Sequence, residues 1–115
     1  VDLLAVAQSR LMPLQAAQRW QKLDANEQAL AWQSLLDDAV AAAMVSEYQT
    51  RHSDLRAEMS ALVAAVSSQT LLNTLYEVVE ARRLLGTTVQ PQAILESLWL
   101  HWGRETRQKR GSHAG

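Results

Sequence analysis

The sequence predicts an all-α fold, a compact bundle of five to six helices, and three observations lead to this class. Leu and Ala, which favour helices, make up about a third of the 115 residues. Apolar residues recur at helical spacing through most of the chain. Glycine is rare, and β-branched residues are too sparse for a β-sandwich. The length suits one domain with a single hydrophobic core.

The composition excludes several classes of protein. With 48% hydrophobic and 20% charged residues, the chain is too apolar to be disordered as a whole. It contains no Cys, and therefore no disulfide, thiolate metal site or cysteine nucleophile. No apolar segment is long enough to cross a membrane, and the opening stretch lacks the basic lead-in of a signal peptide. We therefore expect a cytoplasmic protein. The net charge of -1 gives no reason to expect a nucleic-acid partner.

Two short helices are predicted at the start of the chain. The spacing of apolar residues indicates the first over 2–10. Pro13 opens the second, because proline fits a first helical turn, where no amide donor is needed. Leu14 and Ala17 are its apolar positions, and Leu23 closes it.

A longer amphipathic helix is predicted from about 25 to 48. Asp24 and Glu27 have the spacing of a capping box, in which the Asp side chain accepts a bond from a first-turn amide. The residues that follow the helical pattern of apolar spacing are Trp32, Leu35, Leu36, Ala39, Val40, Ala43 and Met44. The polar residues expected on another side are Gln33, Asp37 and Asp38.

The second half of the chain begins with a polar loop over 49–52. Ser53 then caps an amphipathic helix, and either Ser67 or Ser68 caps the helix after it. Serine suits these positions because its hydroxyl accepts a hydrogen bond from a first-turn amide. Polar loop and cap residues therefore separate two further helices.

The last two helices, over 69–85 and 91–102, should form an antiparallel hairpin, because the short turn between them leaves little other choice. Gly86 stands where a left-handed C-cap belongs, and Pro91 opens the last helix. Gly103 is expected to weaken the end of that helix.

The chain is predicted to divide into a helical domain over 1–103 and a basic, flexible tail over 104–115. The cations of this tail are Arg104, Arg107, Lys109 and Arg110, and they outnumber its single carboxylate. Such a tail can touch phosphates or anionic lipid, but a solvated terminus is the commoner case. Residue 1 is Val and not Met, from which we expect the chain to be part of a longer protein.

The sequence contains no catalytic or metal-binding constellation, so we expect no enzyme activity from this domain and no cofactor. The histidines, none of which pairs with another at the spacing of a helical metal site, are His52, His101 and His113. Glu105 lies four residues after His101, a spacing more typical of a surface contact. Adjacent Asp37 and Asp38 point about 100° apart on a helix and cannot act on one substrate atom.

The tryptophans have two alternative roles. Core packing is favoured for Trp32 and Trp99, which fall on apolar stripes, whereas Trp20 fills the core or its edge. Trp102 serves equally well as a core residue or as an anchor at an interface, where Trp is enriched.

The last helix is apolar over much more than one stripe. A helix of this kind is either buried centrally or meets a partner on its second side. The charged residues near the last helix also have two interpretations. They either pair within the domain or make bidentate contacts with another subunit. The candidate subunit interface comprises Arg82, Arg83, Glu96, Leu98, Trp99, Leu100 and Trp102.

Three segments of the hairpin resemble the C-terminal end of bacterial clamp-loader subunits, in particular the delta-prime subunits of DNA polymerase III. They are LLNTL at 71–75, EARRLL at 80–85 and VQPQAILESLWLHW at 89–102. The stretch over 17–24 is also similar to the segment before the long second helix of that family. The chain departs from the family pattern at Gln90, where Asn is common, and at Ser97, Trp99 and His101, where Ala or Leu often stands.

The resemblance implies a collar domain, which helps to hold the ring of subunits that loads the sliding clamp on DNA during replication. Its partners would be the delta and gamma/tau subunits, reached through helix–helix contacts. DNA and the clamp would be contacted only indirectly, and no membrane or small-molecule substrate is implied. In this family the ATPase-like part, which offers an arginine to a neighbour's nucleotide site, precedes the collar and is not in this chain.

One alternative comes from another functional class. The helices could form the ligand-binding and dimerisation domain of a transcription regulator. Such a domain needs an apolar cavity walled by several helices, and the Ala-rich helix faces favour tight packing instead. An enzyme of unknown type is a weaker alternative, because the sequence offers no reactive constellation.

Overall fold

A computed structural model describes residues 2–45, 53–87 and 89–114, and the side chains of 2–45, 54–87 and 89–107. Within these ranges the chain is all-helical and has no strand, which confirms the predicted fold class. The α-helices are α1 (Asp2–Ala7), α2 (Pro13–Trp20), α3 (Ala25–Met44), α4 (Arg56–Ala65), α5 (Ser68–Leu85) and α6 (Pro91–Ala114), with a short 3-10 helix at Ser53–Leu55. The predicted loop over 49–52, with His52, and the His113 side chain lie outside what is described.

Helices α3 and α6 organise the bundle. Helix α3 packs most extensively on α5 and also contacts α4 and α6. Helix α6 contacts α1, α2, α3 and α5, so it runs through the middle of the packing. The expected contact between α5 and α6 across their short connection is present. One continuous core results, built from all six helices.

The helix starts follow local capping chemistry. The Asp24 carboxylate accepts a hydrogen bond of 2.9 Å from the Glu27 amide at the start of α3. This bond favours the charged carboxylate and lowers the pKa of Asp24. At the start of α5, the Ser67 hydroxyl accepts a bond of 3.1 Å from the Thr70 amide, so Ser67 is the cap and Ser68 the first helical residue.

The end of α5 differs from the prediction. Gly86 has φ -76° and ψ -10°, so it is right-handed and not a left-handed cap. The turn closes instead through Thr87, whose amide and hydroxyl each donate to the Leu84 carbonyl at 2.9 Å. Among the described residues, the left-handed backbone conformation occurs at Ser9, with φ 61°, where the chain leaves α1.

The far side of α3 also differs from the prediction. Asp38 is fully buried, although a polar outer position was expected. Gln33 and Asp37 are half-buried. The reason is that α3 is covered by helices on more than one side, so a residue off its apolar stripe is not thereby in water. Met44, at the end of the predicted stripe, is exposed.

Gly103 does not end the last helix, which continues through it to Ala114. Gly103 is buried, and a Cβ atom there would lie 2.5 Å from Cγ of Pro13. The absent side chain therefore lets the start of α2 approach α6 closely. The proposed boundary between a domain over 1–103 and a tail falls inside this helix, and that division remains a prediction.

The close approach at Gly103 can be tested with a matched pair of glycines. Gly103→Ala should lower the free energy of unfolding by about 1–2 kcal/mol, because the clash with the rigid Pro13 ring outweighs the gain in helix propensity. Gly86→Ala should leave stability unchanged or raise it by up to about 1 kcal/mol, since its Cβ would meet only the Arg83 carbonyl oxygen at 3.7 Å. Urea unfolding measures both, and equal effects would contradict the contact.

The cap at Ser67 can be tested in the same way. Ser67→Ala should destabilise the domain by about 1 kcal/mol, because a first-turn amide of α5 loses its acceptor. Ser68→Ala, at the exposed neighbouring position, should change stability by less than about 0.5 kcal/mol. Thermal unfolding followed by circular dichroism compares the two variants. A larger loss from Ser68→Ala would show that the cap is assigned to the wrong serine.

Candidate subunit interface

All four tryptophans of the chain meet in one cluster. The ring centroids of Trp32 and Trp99 are 4.5 Å apart, and Trp20 meets Trp99 edge-on at 5.1 Å. Trp102 meets Trp32 edge-on at 6.1 Å. Tilted and edge-on contacts are the favourable geometries for aromatic rings. The cluster joins α2, α3 and α6.

Two indole N–H groups of the cluster tie it to α1. Trp102 Nε1 donates to the Leu3 carbonyl at 2.9 Å, and Trp20 Nε1 donates to the Asp2 carboxylate at 3.1 Å. The same carboxylate lies 3.4 Å from the Arg19 guanidinium. The Nε1 atoms of Trp32 and Trp99 are buried and find no acceptor among the described residues. Ring packing alone therefore holds these two indoles.

Three of the predicted interface residues belong to this core. Leu98 is 4% exposed, and Trp99 and Trp102 are fully buried. Other helices of the domain cover these side chains, so the structure gives no support to their assignment to a subunit contact, which stays a prediction. Of the two explanations for an apolar last helix, central burial accounts for these side chains. The expectation of core packing for Trp32 and Trp99 is confirmed.

The remaining predicted interface residues divide by exposure. Leu100 is exposed, and so are Arg82 and Arg83, whereas Glu96 is half-buried. Arg82 donates to the Gln33 side chain on α3. Arg83 pairs with Glu80 one turn earlier, which raises the pKa of Arg83 and lowers that of Glu80. Both arginines thus make contacts within the domain.

A surface groove lies between the start of α2 and the second half of α6. Its volume is about 520 Å³. We call it the α2–α6 groove, and it is lined by Met12, Pro13, Leu14, Leu100, Arg104 and Arg107. Met12 is 62% exposed, Leu14 48% and Leu100 45%. Apolar spacing predicts Leu14 and Ala17 on the buried side of α2, but Ala17 is buried with Pro13 and Ala16 whereas Leu14 is exposed.

A second exposed apolar surface lies on α5. Tyr76 and Val79 are exposed, and with Arg83 they follow one outward stripe of the helix. We call these residues the α5 stripe. Apolar spacing alone does not reveal the α5 stripe, because Val79 fits the same apolar pattern as the buried Val78. Periodicity identifies an apolar side but does not determine which apolar residues another helix covers.

The polar groups of the described residues form no reactive centre. His101 is half-buried beside α5, in a cleft that Glu77 and Glu80 also line. Over these residues, no cluster of three or more His, Asp or Glu side chains could hold a metal ion. None of the described helices combines the length and apolar character needed to traverse a bilayer.

Core and surface roles on α6 can be separated by substitution. Trp99→Ala should lower the free energy of unfolding by about 3–5 kcal/mol, because it removes the indole that contacts two others. Leu100→Ala, one residue away, should cost less than about 1 kcal/mol, since that side chain is 45% exposed. Chemical denaturation measures both. If Trp99→Ala folds as stably as Leu100→Ala, the cluster is not the core of this domain.

One protein family matches nearly all of the residues that form this packed domain. The family described as DNA polymerase III, delta subunit, C terminal matches residues 2–104. No curated protein and no solved structure matches the chain. The match supports the clamp-loader resemblance of the hairpin, although it names the delta subunit and not delta-prime. The chain belongs to the family of C-terminal domains of the DNA polymerase III delta subunit.

Proposed function

We propose that this chain is the collar domain of a clamp-loader subunit, a non-catalytic part that fixes the place of its subunit in the ring. The observation that carries the proposal is the family match over residues 2–104. Its partners are other clamp-loader subunits, and it reaches DNA and the sliding clamp only through the complex. The setting is DNA replication in the cytoplasm.

The form of the domain supports an assembly role. Its core contains large aromatic rings in edge-on contact. This close packing holds the helices in fixed relative positions. Among its exposed apolar side chains, Met12, Leu14 and Leu100 line the α2–α6 groove, whereas Tyr76 and Val79 lie on the α5 stripe. A subunit within a ring has two neighbours and requires two contact surfaces. The family match gives no support to the alternative of a transcription regulator.

The finer proposal is that the subunit is of the delta-prime type. It is supported by the similarity of 71–75, 80–85 and 89–102 to that family. The segments fall on α5, α6 and the connection between them, and they supply the buried Leu71, Ala81 and Leu95. The similarity therefore concerns the packing of the hairpin.

The experiment is reconstitution with clamp-loader subunits, with mass measured by light scattering after size-exclusion chromatography. The subunit that carries this domain should join a mixture of gamma/tau and delta and should be displaced by added delta-prime. Joining a mixture of gamma/tau and delta-prime in place of delta would instead assign it to the delta type. If the folded subunit joins neither mixture and dimerises around a small apolar ligand, the collar proposal is wrong.

A further inference from the structure

The α2–α6 groove combines an apolar lining with two cations. Leu100, Arg104 and Arg107 lie on one stripe of α6, at i, i+4 and i+7. Met12 and Leu14 flank that stripe from the start of α2. Pro13, whose ring lies close to Gly103 of α6, also lines the groove. The groove is thus built by core packing that does not depend on a ligand.

The charges of the two groove arginines are not paired within the part of the chain that the structure describes. Within the described part of the chain, neither Arg104 nor Arg107 makes an ion pair, whereas Arg19 pairs with Asp2 and Arg83 with Glu80. Both side chains are exposed. A guanidinium group binds a carboxylate through two parallel hydrogen bonds, which gives orientation as well as attraction. The groove therefore suits a partner that carries carboxylates next to apolar side chains.

We propose that the α2–α6 groove is a docking site for an amphipathic helix of a neighbouring clamp-loader subunit. Apolar side chains of that helix contact Met12, Leu14 and Leu100, and its carboxylates pair with Arg104 and Arg107. The proposal rests on the collar function given above and adds the surface and the chemistry of the partner.

The lining favours a helix over a nucleic-acid backbone. Phosphates would pair with the two arginines but would leave the three exposed apolar side chains in water. An amphipathic helix satisfies both parts of the surface at once. On α5 of the domain itself, exposed Tyr76 and Val79 stand beside the carboxylate of Glu77, whereas that of Glu80 is paired with Arg83. A related subunit that presents such a face would fit the groove.

The test uses the full-length subunit with Arg104→Glu and Arg107→Glu together, titrated against the complex of its partner subunits. The dissociation constant should rise about 10- to 100-fold, because two attractive pairs become repulsive. Arg56→Glu, an exposed charge reversal on α4 outside the groove, should change it less than about threefold. Leu100→Ala should weaken association as well, while circular dichroism melting of each variant matches the parent.

The outcomes separate this proposal from the collar function. If the parent subunit associates and the double variant associates equally well, the groove proposal is overturned and the collar function stands. If the double variant keeps its subunit affinity but the complex loses affinity for primed DNA, the groove binds nucleic acid and the proposal is also wrong. Failure of the parent subunit to associate at all would overturn the collar function itself.

Discussion

The tryptophan cluster is the contact on which the rest of the structure depends. The chain has no Phe, so its four indoles and two phenols supply all of its aromatic volume. Trp99 contacts both Trp20 and Trp32, and therefore fixes the rotation of α6 against α2 and α3 at the same time. That rotation determines which residues of α6 face outward. The exposure of Leu100 and of the groove arginines is a consequence of where the indoles pack.

The same packing links fold and function. A domain that sets the position of a subunit needs helices that do not shift when a neighbour binds. The buried Nε1 atoms of Trp32 and Trp99 have no acceptor among the described residues, and both indoles make close contacts with other rings. Tight complementarity of large side chains, more than polar bonding, gives this core its fixed geometry.

The sequence predicts the fold class and most helix starts, because Pro13, Asp24, Ser67 and Pro91 act on their own first turns. It does not predict the role of Gly103, which depends on a proline at the other end of the chain. The structure gives no support to the interface prediction at Trp99 and Trp102, for a similar reason. When apolar residues cover most of a helix, spacing cannot determine which of them other helices bury. The sequence does contain one useful signal, because the cationic residues Arg104 and Arg107 follow Leu100 at helical spacing. That signal identifies only the exposed side of α6.

The bond between Trp102 and the Leu3 carbonyl has a consequence for biosynthesis. It joins the first helix to the last, and Trp99 and Trp102 emerge from the ribosome only after almost all other core residues. Until α6 is made, Leu3, Trp32 and their neighbours lack the rings that cover them. Completion of the core during translation must therefore wait for the last helix, and nascent chains that stop before it expose apolar surface that chaperones recognise.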